Sequence, residues 1–289
     1  MYATKPVKAG AAALLTAAMV VGGTAAPAQA APPANDSFAA AAALTGTFGT
    51  VRGNTLEATR EVGEPDHAGV LSNRSVWYRW TASTAGPVVF TTTSSVEELP
   101  TFDTVLAVYR GDAVGQLTPV ASNDDRNRFD PTSRVRFDAE AGVTYQVAVD
   151  SVAGKTGRFR LSWGMRAPND DFAASVKLTG SSGTTTTSTF LATSEAGEAT
   201  WHRRSVWYRW TAPRSGALVV TTTGSLYDTV LGVYQGRSLA TVRLLRRNDD
   251  FFGLASRVRL PVVQGRTYRV VAGGLPGQDG FTQVSWRMP

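Results

Sequence analysis

Two sets of oxygen-bearing residues recur at matching places in the two halves of this 289-residue chain. Asp103 precedes an apolar run and is followed by Asn123-Asp124-Asp125; Asp228 precedes a similar run and is followed by Asn248-Asp249-Asp250. Calcium takes roughly six to eight hard oxygen ligands, and Asp, Asn and loop carbonyls supply them. If the runs are paired strands, the carboxylates converge at one end of a sheet. The same letters also make a hairpin turn, because Asn and Asp tolerate left-handed backbone and bond nearby amides. The two readings are separated by whether the side chains face one another or the loop amides.

A second set is Glu61, Glu64 and His67, repeated as Glu195, Glu198 and His202. Zinc sites use such residue types, but here they stand in Gly- and Pro-containing loops rather than on one face of a helix. Glu61 with Glu64 is the nearest approach to the carboxylate pair that glycoside hydrolysis needs. There is no Gly-x-Ser-x-Gly elbow and no phosphate-cradling loop. The chain has no cysteine, which removes thiolate nucleophiles, thiolate zinc sites and redox chemistry. No catalytic constellation is expected. A third set is aromatic. Trp77 beside Arg79, Trp207 beside Arg209, and Trp201 would stack on sugars or pair with anionic groups if they face solvent.

The elements that must position these groups are written twice. Residues 75–82 and 205–212 are the same octamer, Ser-Val-Trp-Tyr-Arg-Trp-Thr-Ala. Around it, Asn35-Asp36 matches Asn169-Asp170, Ser133-Arg134-Val135-Arg136 matches Ser256-Arg257-Val258-Arg259, and Ser162-Trp163 matches Ser285-Trp286. Two copies this long are tandem domains rather than solenoid repeats. The expected division is a leader over 1–30, one repeat over 31–165 and a second over 166–289. The leader reading rests on Lys5 and Lys8, an apolar run from Ala9 to Gly22, and the small-residue ending Ala28-Gln29-Ala30. It implies export, a secreted or extracellular location, and no membrane attachment after cleavage.

Within each copy the periodicity is two. Val76, Tyr78 and Trp80 share one face of a strand, expected to point inward, and Trp77 and Arg79 share the other. Further strands are expected around Val88–Thr92, Val105–Tyr109, Val135–Phe137, Tyr145–Val149 and Phe159–Trp163, divided by Gly, Asn, Asp and Pro. Many short strands so punctuated predict an all-β fold, two tandem antiparallel β-sandwiches of jelly-roll type. Phe38–Leu44 and Phe172–Leu178 read either as a short helix capped by Asp36 or Asp170, or as an irregular segment leading into a strand.

The charge is uneven. Residues 31–165 hold 12 basic and 15 acidic residues; residues 166–289 hold 15 and 8. The second copy is therefore expected to dominate attraction to an anionic polymer. Its positive residues are scattered rather than in one tract, which argues against nucleic acid.

Together, the Asn-Asp-x-Phe opening, Gly63-Glu64-Pro65-Asp66-His67-Ala68-Gly69, Ser75-Val76-Trp77-Tyr78, Asp103-Thr104-Val105-Leu106 and Asn123-Asp124-Asp125 resemble the bacterial pre-peptidase C-terminal domain family. The resemblance spans both copies. It implies a compact β-sandwich that serves as an accessory module on secreted bacterial proteins, often beside a peptidase domain. Related domains of clostridial collagenases bind collagen and calcium. In those relatives acidic residues before the aromatic strand help hold calcium; here Asn73-Arg74-Ser75 and Arg203-Arg204-Ser205 stand in that place, and collagen binding is not carried over. No peptidase domain accompanies the repeats, so the family name lends no proteolysis. The expected function is a secreted, non-catalytic binding or adhesion module that recognises a glycan, a wall polymer or a secreted protein. A calcium-stabilised spacer and, further off, a secreted hydrolase or peptidase-associated protein are the alternatives.

Overall fold

The computed structural model describes residue 1 and residues 30–71, 74–94 and 102–289. Of the expected leader over 1–30, residues 2–29 fall outside this set. Among the described residues no helix is long and apolar enough to cross a membrane. Residues 32–289 form one compact unit, in which the strands close into two pairs of sheets.

The first copy contributes β1 (Ala42–Leu44), β2 (Phe48–Asn54), β3 (Val76–Thr81), β4 (Gly86–Ser94), β5 (Thr104–Arg110), β6 (Thr118–Asn123), β7 (Arg134–Ala139), β8 (Thr144–Ser151) and β9 (Arg158–Met165). They form a five-stranded sheet ordered β1-β3-β8-β5-β6 and a four-stranded sheet ordered β2-β9-β4-β7. The second copy repeats this with β10 (Val176–Leu178), β11 (Ser182–Ser188), β12 (Arg203–Thr211), β13 (Gly216–Thr221), β14 (Thr229–Gln235), β15 (Arg243–Asn248), β16 (Arg257–Val262), β17 (Thr267–Gly274) and β18 (Phe281–Arg287). Its sheets run β10-β12-β17-β14-β15 and β11-β18-β13-β16. All pairings are antiparallel except β1 with β3 and β10 with β12. The chain is thus a pair of tandem β-sandwiches.

Alternation decides what lies between the sheets. Val76, Tyr78 and Trp80 point into the first core with Phe90, Leu106, Val147, Leu161 and Trp163. Trp80 meets Phe90 edge-on at 5.5 Å, and Phe137 meets Tyr145 at 4.8 Å. Such ring pairs are each worth about 0.5–1.5 kcal/mol beyond the area they bury. Val206, Tyr208 and Trp210 do the same in the second core. Packing of this extent holds two domains together without disulfides.

The segments before β1 and β10 are neither a capped helix nor a plain lead-in. Each is one 3-10 turn, Phe38–Ala40 or Phe172–Ala174, running into a short parallel strand. Asp36 and Asp170 do not cap these turns. They accept the backbone N–H of Thr59 at 2.6 Å and of Thr193 at 2.7 Å, together with the hydroxyls of the same threonines. The carboxylates therefore pin the following loop rather than the turn.

Candidate functional site

The turn reading and the metal reading each hold for part of the Asp and Asn set. Asn123 accepts the Arg134 backbone N–H at 2.8 Å and donates to the Asp125 carbonyl at 2.8 Å. Asn248 makes the same pair of bonds with Arg257 and Asp250, at 2.7 and 2.8 Å. Both asparagines close the turn after β6 or β15, which supports the turn reading for these two residues. The carboxylates behave differently. Oxygens of Asp103, Asp124 and Asp125 come within 4.8 Å of one another, the one such grouping among the described residues. Asp103 Oδ1 and Asp124 Oδ1 are buried without a hydrogen-bond partner among the described residues, as is Asp228 Oδ1. Burial, then the charges of Asp124 and Asp125, push the Asp103 carboxyl above its usual range. Burial and then Asp250 and Asp249 raise Asp228. Orphaned carboxylate oxygens facing one another are the donor set a hard cation satisfies. In the second copy Asp249 and Asp250 are exposed and do not close such a group with Asp228.

In the Glu and His loops the Glu64, His67 and His202 side chains are buried, and Glu61, Glu195 and Glu198 are half-buried. Glu64 accepts from His67 Nε2 at 3.0 Å and from the Ser75 hydroxyl, while His67 Nδ1 shares a proton with Tyr109 Oη at 2.7 Å. In the second copy Glu198 instead accepts the Trp207 indole N–H at 2.6 Å and the Ser205 hydroxyl at 3.1 Å. His202 there has no partner on either ring nitrogen among the described residues. Glu61 and Glu195 are used by the backbone N–H groups of Phe38 and Phe172, both at 2.5 Å. No pair of carboxylates faces an open space at this place.

The aromatic expectation is corrected more firmly. Trp77 and Trp207 do lie on the outer face of the five-stranded sheets, but they are 0% and 1% exposed. The 3-10 turns fold over that face, so Phe38 meets Trp77 edge-on at 5.2 Å and Phe172 meets Trp207 at 5.0 Å. Val114 and Leu117 complete the cover in the first copy, and Leu239 and Val242 in the second. Each tryptophan is therefore the floor of a small second core and offers no ring to a ligand. Trp201 is half-buried, stacked on Tyr234 at 6.3 Å with the Arg247 guanidinium over it at 5.4 Å. Arg79 is exposed; Arg209 is exposed and donates to the Ser175 carbonyl.

A large opening lies elsewhere, between the two sandwiches. It measures about 1550 Å³. Its floor is the outer face of the first copy's four-stranded sheet; its wall is the second copy's loops around Phe190, Tyr227 and Gly277–Phe281. Eight arginines line it against two aspartates, and six of the eight belong to the first copy. The arginines of this cleft thus come mainly from the copy with the negative net charge, whereas the charge count places the expected attraction on the second copy. Phe159, Leu161, Val135 and Phe137 turn inward, so Arg158, Arg160, Arg134 and Arg136 must turn outward onto one face. That signal was present in the strands, but a net charge per copy averages it away.

The cleft has a fixed hinge. Arg134 grips the buried Asp279 carboxylate with two bonds, at 2.7 and 2.8 Å, and Arg204 donates to the same carboxylate. A β-bulge between Arg203 and Val206 puts Arg204 at φ +48°, and this redirects its side chain to Asp279. Beside this clasp, a Cβ on Gly164 would come within 2.5 Å of Ser188 Oγ and 2.7 Å of Phe190, so the copies touch there at glycine distance. Of the remaining cleft arginines, Arg126 pairs with Asp130 at 3.4 Å and Arg166 with Asp170 at 2.5 Å. Arg52, Arg136 and Arg160 have no ion-pair partner among the described residues. Arg52 and Arg160 are directly opposite in the β2–β9 ladder. Burial, then the facing Arg52 charge, pushes Arg160 below the usual guanidinium range.

No protein-family model matches the chain. No curated protein matches it either. Solved structures do. The CUB1-EGF-CUB2 domains of rat MASP-1 align over 86% of this chain and 99% of that one, at 10% identity and a TM-score of 0.23. The CBM22-1-CBM22-2 tandem domain of Paenibacillus barcinonensis Xyn10C aligns over 85% and 92%, at 10% identity and 0.21. An uncharacterized protein from Burkholderia cenocepacia aligns over 76% and 78%, at 10% and 0.23. Likeness at this level carries no argument about activity or ligand.

Proposed function

We propose that the protein is an exported, non-catalytic binding module that holds an extended polymer in the cleft between its two sandwiches. One observation carries the reading. The cleft is open, long enough to run across a four-stranded sheet, and built from both copies, which are clasped at Asp279. Among the described residues its lining contains no histidine, cysteine or glutamate, and its two aspartates are already engaged: Asp279 by Arg134 and Arg204, Asp130 by Arg126 and the Thr132 hydroxyl. A site furnished in this way grips rather than cuts. Extracellular action follows from the leader, and membership of the pre-peptidase C-terminal family from the motifs of both copies.

The three carboxylates at Asp103, Asp124 and Asp125 add a structural cation to this reading. Calcium would be held by the orphaned oxygens of Asp103 and Asp124 with the exposed Asp125 carboxylate and would brace the turn after β6, one end of which, Asn123, reaches the cleft. Binding is tested by affinity electrophoresis of the purified protein through gels that contain neutral or charged soluble polysaccharides. Retardation by at least one polymer, lost when Gly164→Leu pushes the copies apart, is the expected result. Mobility unchanged in every gel would end the proposal.

A further inference from the structure

We propose that the cleft floor is a carboxylate-reading track, made by Arg52, Arg160 and Arg136, for a linear acidic polysaccharide. This rests on the reading of the cleft as a polymer site and names the polymer's chemistry.

The first argument is placement. Arg52 on β2 and Arg160 on β9 are register partners, about 5 Å apart at the backbone. Like charges directly opposite one another in a ladder are unfavourable. Arg136 stands on β7, on the far side of β4, whose Val89, Thr91 and Thr93 form an uncharged strip between them. Across β4, Arg160 stands level with Thr93 and Arg136 level with Val89, four residues apart along the strand, so these arginines flank that strip diagonally at roughly 16 Å. None of the three has a carboxylate partner among the described residues, although the clasp at Asp279 shows that this cleft can supply one where structure requires it.

The second argument is the other copy. The repeats superimpose Gly49 on Gly183 and Trp163 on Trp286, each pair making the same close contact of glycine and indole. The positions equivalent to Arg52 and Arg160 are then Thr186 and Gln283, which are themselves register partners. The fold is therefore satisfied by an uncharged pair here. The arginine pair is an addition that costs repulsion unless an anion lies between the two guanidinium groups.

The third argument selects the ligand. Phe159, Phe190 and Tyr227 line the cleft but are 2%, 2% and 4% exposed, which leaves the half-buried Phe281 as the one partly open ring of the described lining, too little for a run of stacked bases. Recognition here runs chiefly through charge and hydrogen bonds. The planar guanidinium fork matches a carboxylate edge with two parallel bonds. A chain with carboxylates at regular intervals and hydroxyls between them suits arginines on either side of a threonine strip.

The test uses the purified protein with hyaluronan, its methyl ester, and polyphosphate, by calorimetry at low and high salt. Hyaluronan is expected to bind, and its ester, which lacks the charge, is not. Arg52→Thr with Arg160→Gln, the second copy's own residues, should weaken binding at least tenfold while melting no lower than wild type. Arg243→Gln with Arg246→Gln, which removes the same charge from β15 outside the cleft, should leave binding unchanged. Equal binding of the ester would overturn the track but leave the cleft as a polymer site. Polyphosphate bound more tightly through the same arginines would replace carboxylate by phosphate. Equal loss in the β15 variant would reduce the effect to net charge. If none of these polymers binds, the track fails; the neutral gels of the preceding experiment then decide the cleft reading separately.

Discussion

The two copies share an identical octamer and bury it identically, yet the polar cluster beneath its first tryptophan is wired in two ways. In the first copy Glu64 holds His67 and Ser75, and the Trp77 indole N–H is left without an acceptor. In the second copy Glu198 has swung to the Trp207 indole, and His202 is the orphan. Burial raises both carboxyls; in the first copy the bonds from His67 and Ser75 outweigh it and hold Glu64 below its usual range, whereas Glu198 stays above. The cause is local spacing. Glu64 and His67 are three residues apart in a turn, and Glu198 and His202 are four, with Trp201 inserted between His202 and Tyr234. The loop also runs eight residues from His67 to Ser75 but three from His202 to Ser205, so loop length differs on both sides of the histidine.

The difference predicts unequal cost on deletion. Glu64→Ala strips a carboxylate acceptor from a buried His and a buried Ser and should cost about 3–5 kcal/mol, two hydrogen bonds to a charged group at roughly 1.5–3 kcal/mol each. Glu198→Ala orphans one indole N–H and a hydroxyl and should cost about 1–3 kcal/mol. Urea unfolding of both variants measures the gap. Equal losses would mean that the two clusters are energetically alike whatever their wiring.

Acid should separate the copies next. Burial, then the nearby Arg203, pushes His202 down to about 4. The unfolded chain takes up this proton near the ordinary value of 6.5, the folded chain only near 4, so stability is lost as pH falls through that window. A shift of this size is worth about 3 kcal/mol. Glu64 acts lower: its contribution is present above the ordinary carboxylate value and is lost only as pH drops below it. His202→Phe should therefore flatten the fall in melting temperature between pH 6.5 and 4.5. Parallel pH profiles for variant and wild type would exclude His202 as the acid-sensitive group.

Strand identity was legible because alternation and turn letters are local. Each expected strand of the first copy lies within an observed one, from Val76–Trp80 in β3 to Phe159–Trp163 in β9. β1 and β2 carried no such signal: Ala42–Leu44 is only three residues, and Phe48–Asn54 is broken by Gly49 and Gly53, whose missing side chains admit Trp163 and Phe159. Trp77 was misjudged for a related reason. Alternation says which side of a sheet a residue occupies, not whether a distant 3-10 turn lies across that side. The cleft needed the arrangement of two copies, which no spacing within one copy encodes.

The carboxylate groups offer a comparison of smaller effect. Asp103, Asp124 and Asp125 converge, while Asp249 and Asp250 do not close on Asp228. Calcium at about a hundred times its dissociation constant would stabilise the first copy by about 2.7 kcal/mol. Melting in calcium and then in EGTA should show that shift. Asp103→Asn should remove it and Asp228→Asn should not. A shift that survives Asp103→Asn would move the cation to another place.

The smallest effect tests whether the arginine pair is held against the interest of the fold. Arg52 faces Arg160 in the first copy, and Thr186 faces Gln283 in the second, in otherwise matching ladders. Replacing Arg160 by Gln should relieve a direct cross-strand repulsion and raise stability by about 0.2–1 kcal/mol at low salt. Screening at high ionic strength should shrink the gain, because the exposed Arg52 end of the pair is open to counterions. The reciprocal exchange, Thr186→Arg with Gln283→Arg, should cost a similar amount with the same salt dependence. If Arg160→Gln instead destabilises the protein at low salt, the guanidinium is anchored by neighbours and the pair is part of the sheet's own architecture. A gain in stability together with a loss of polymer binding would place the repulsion in the service of the ligand.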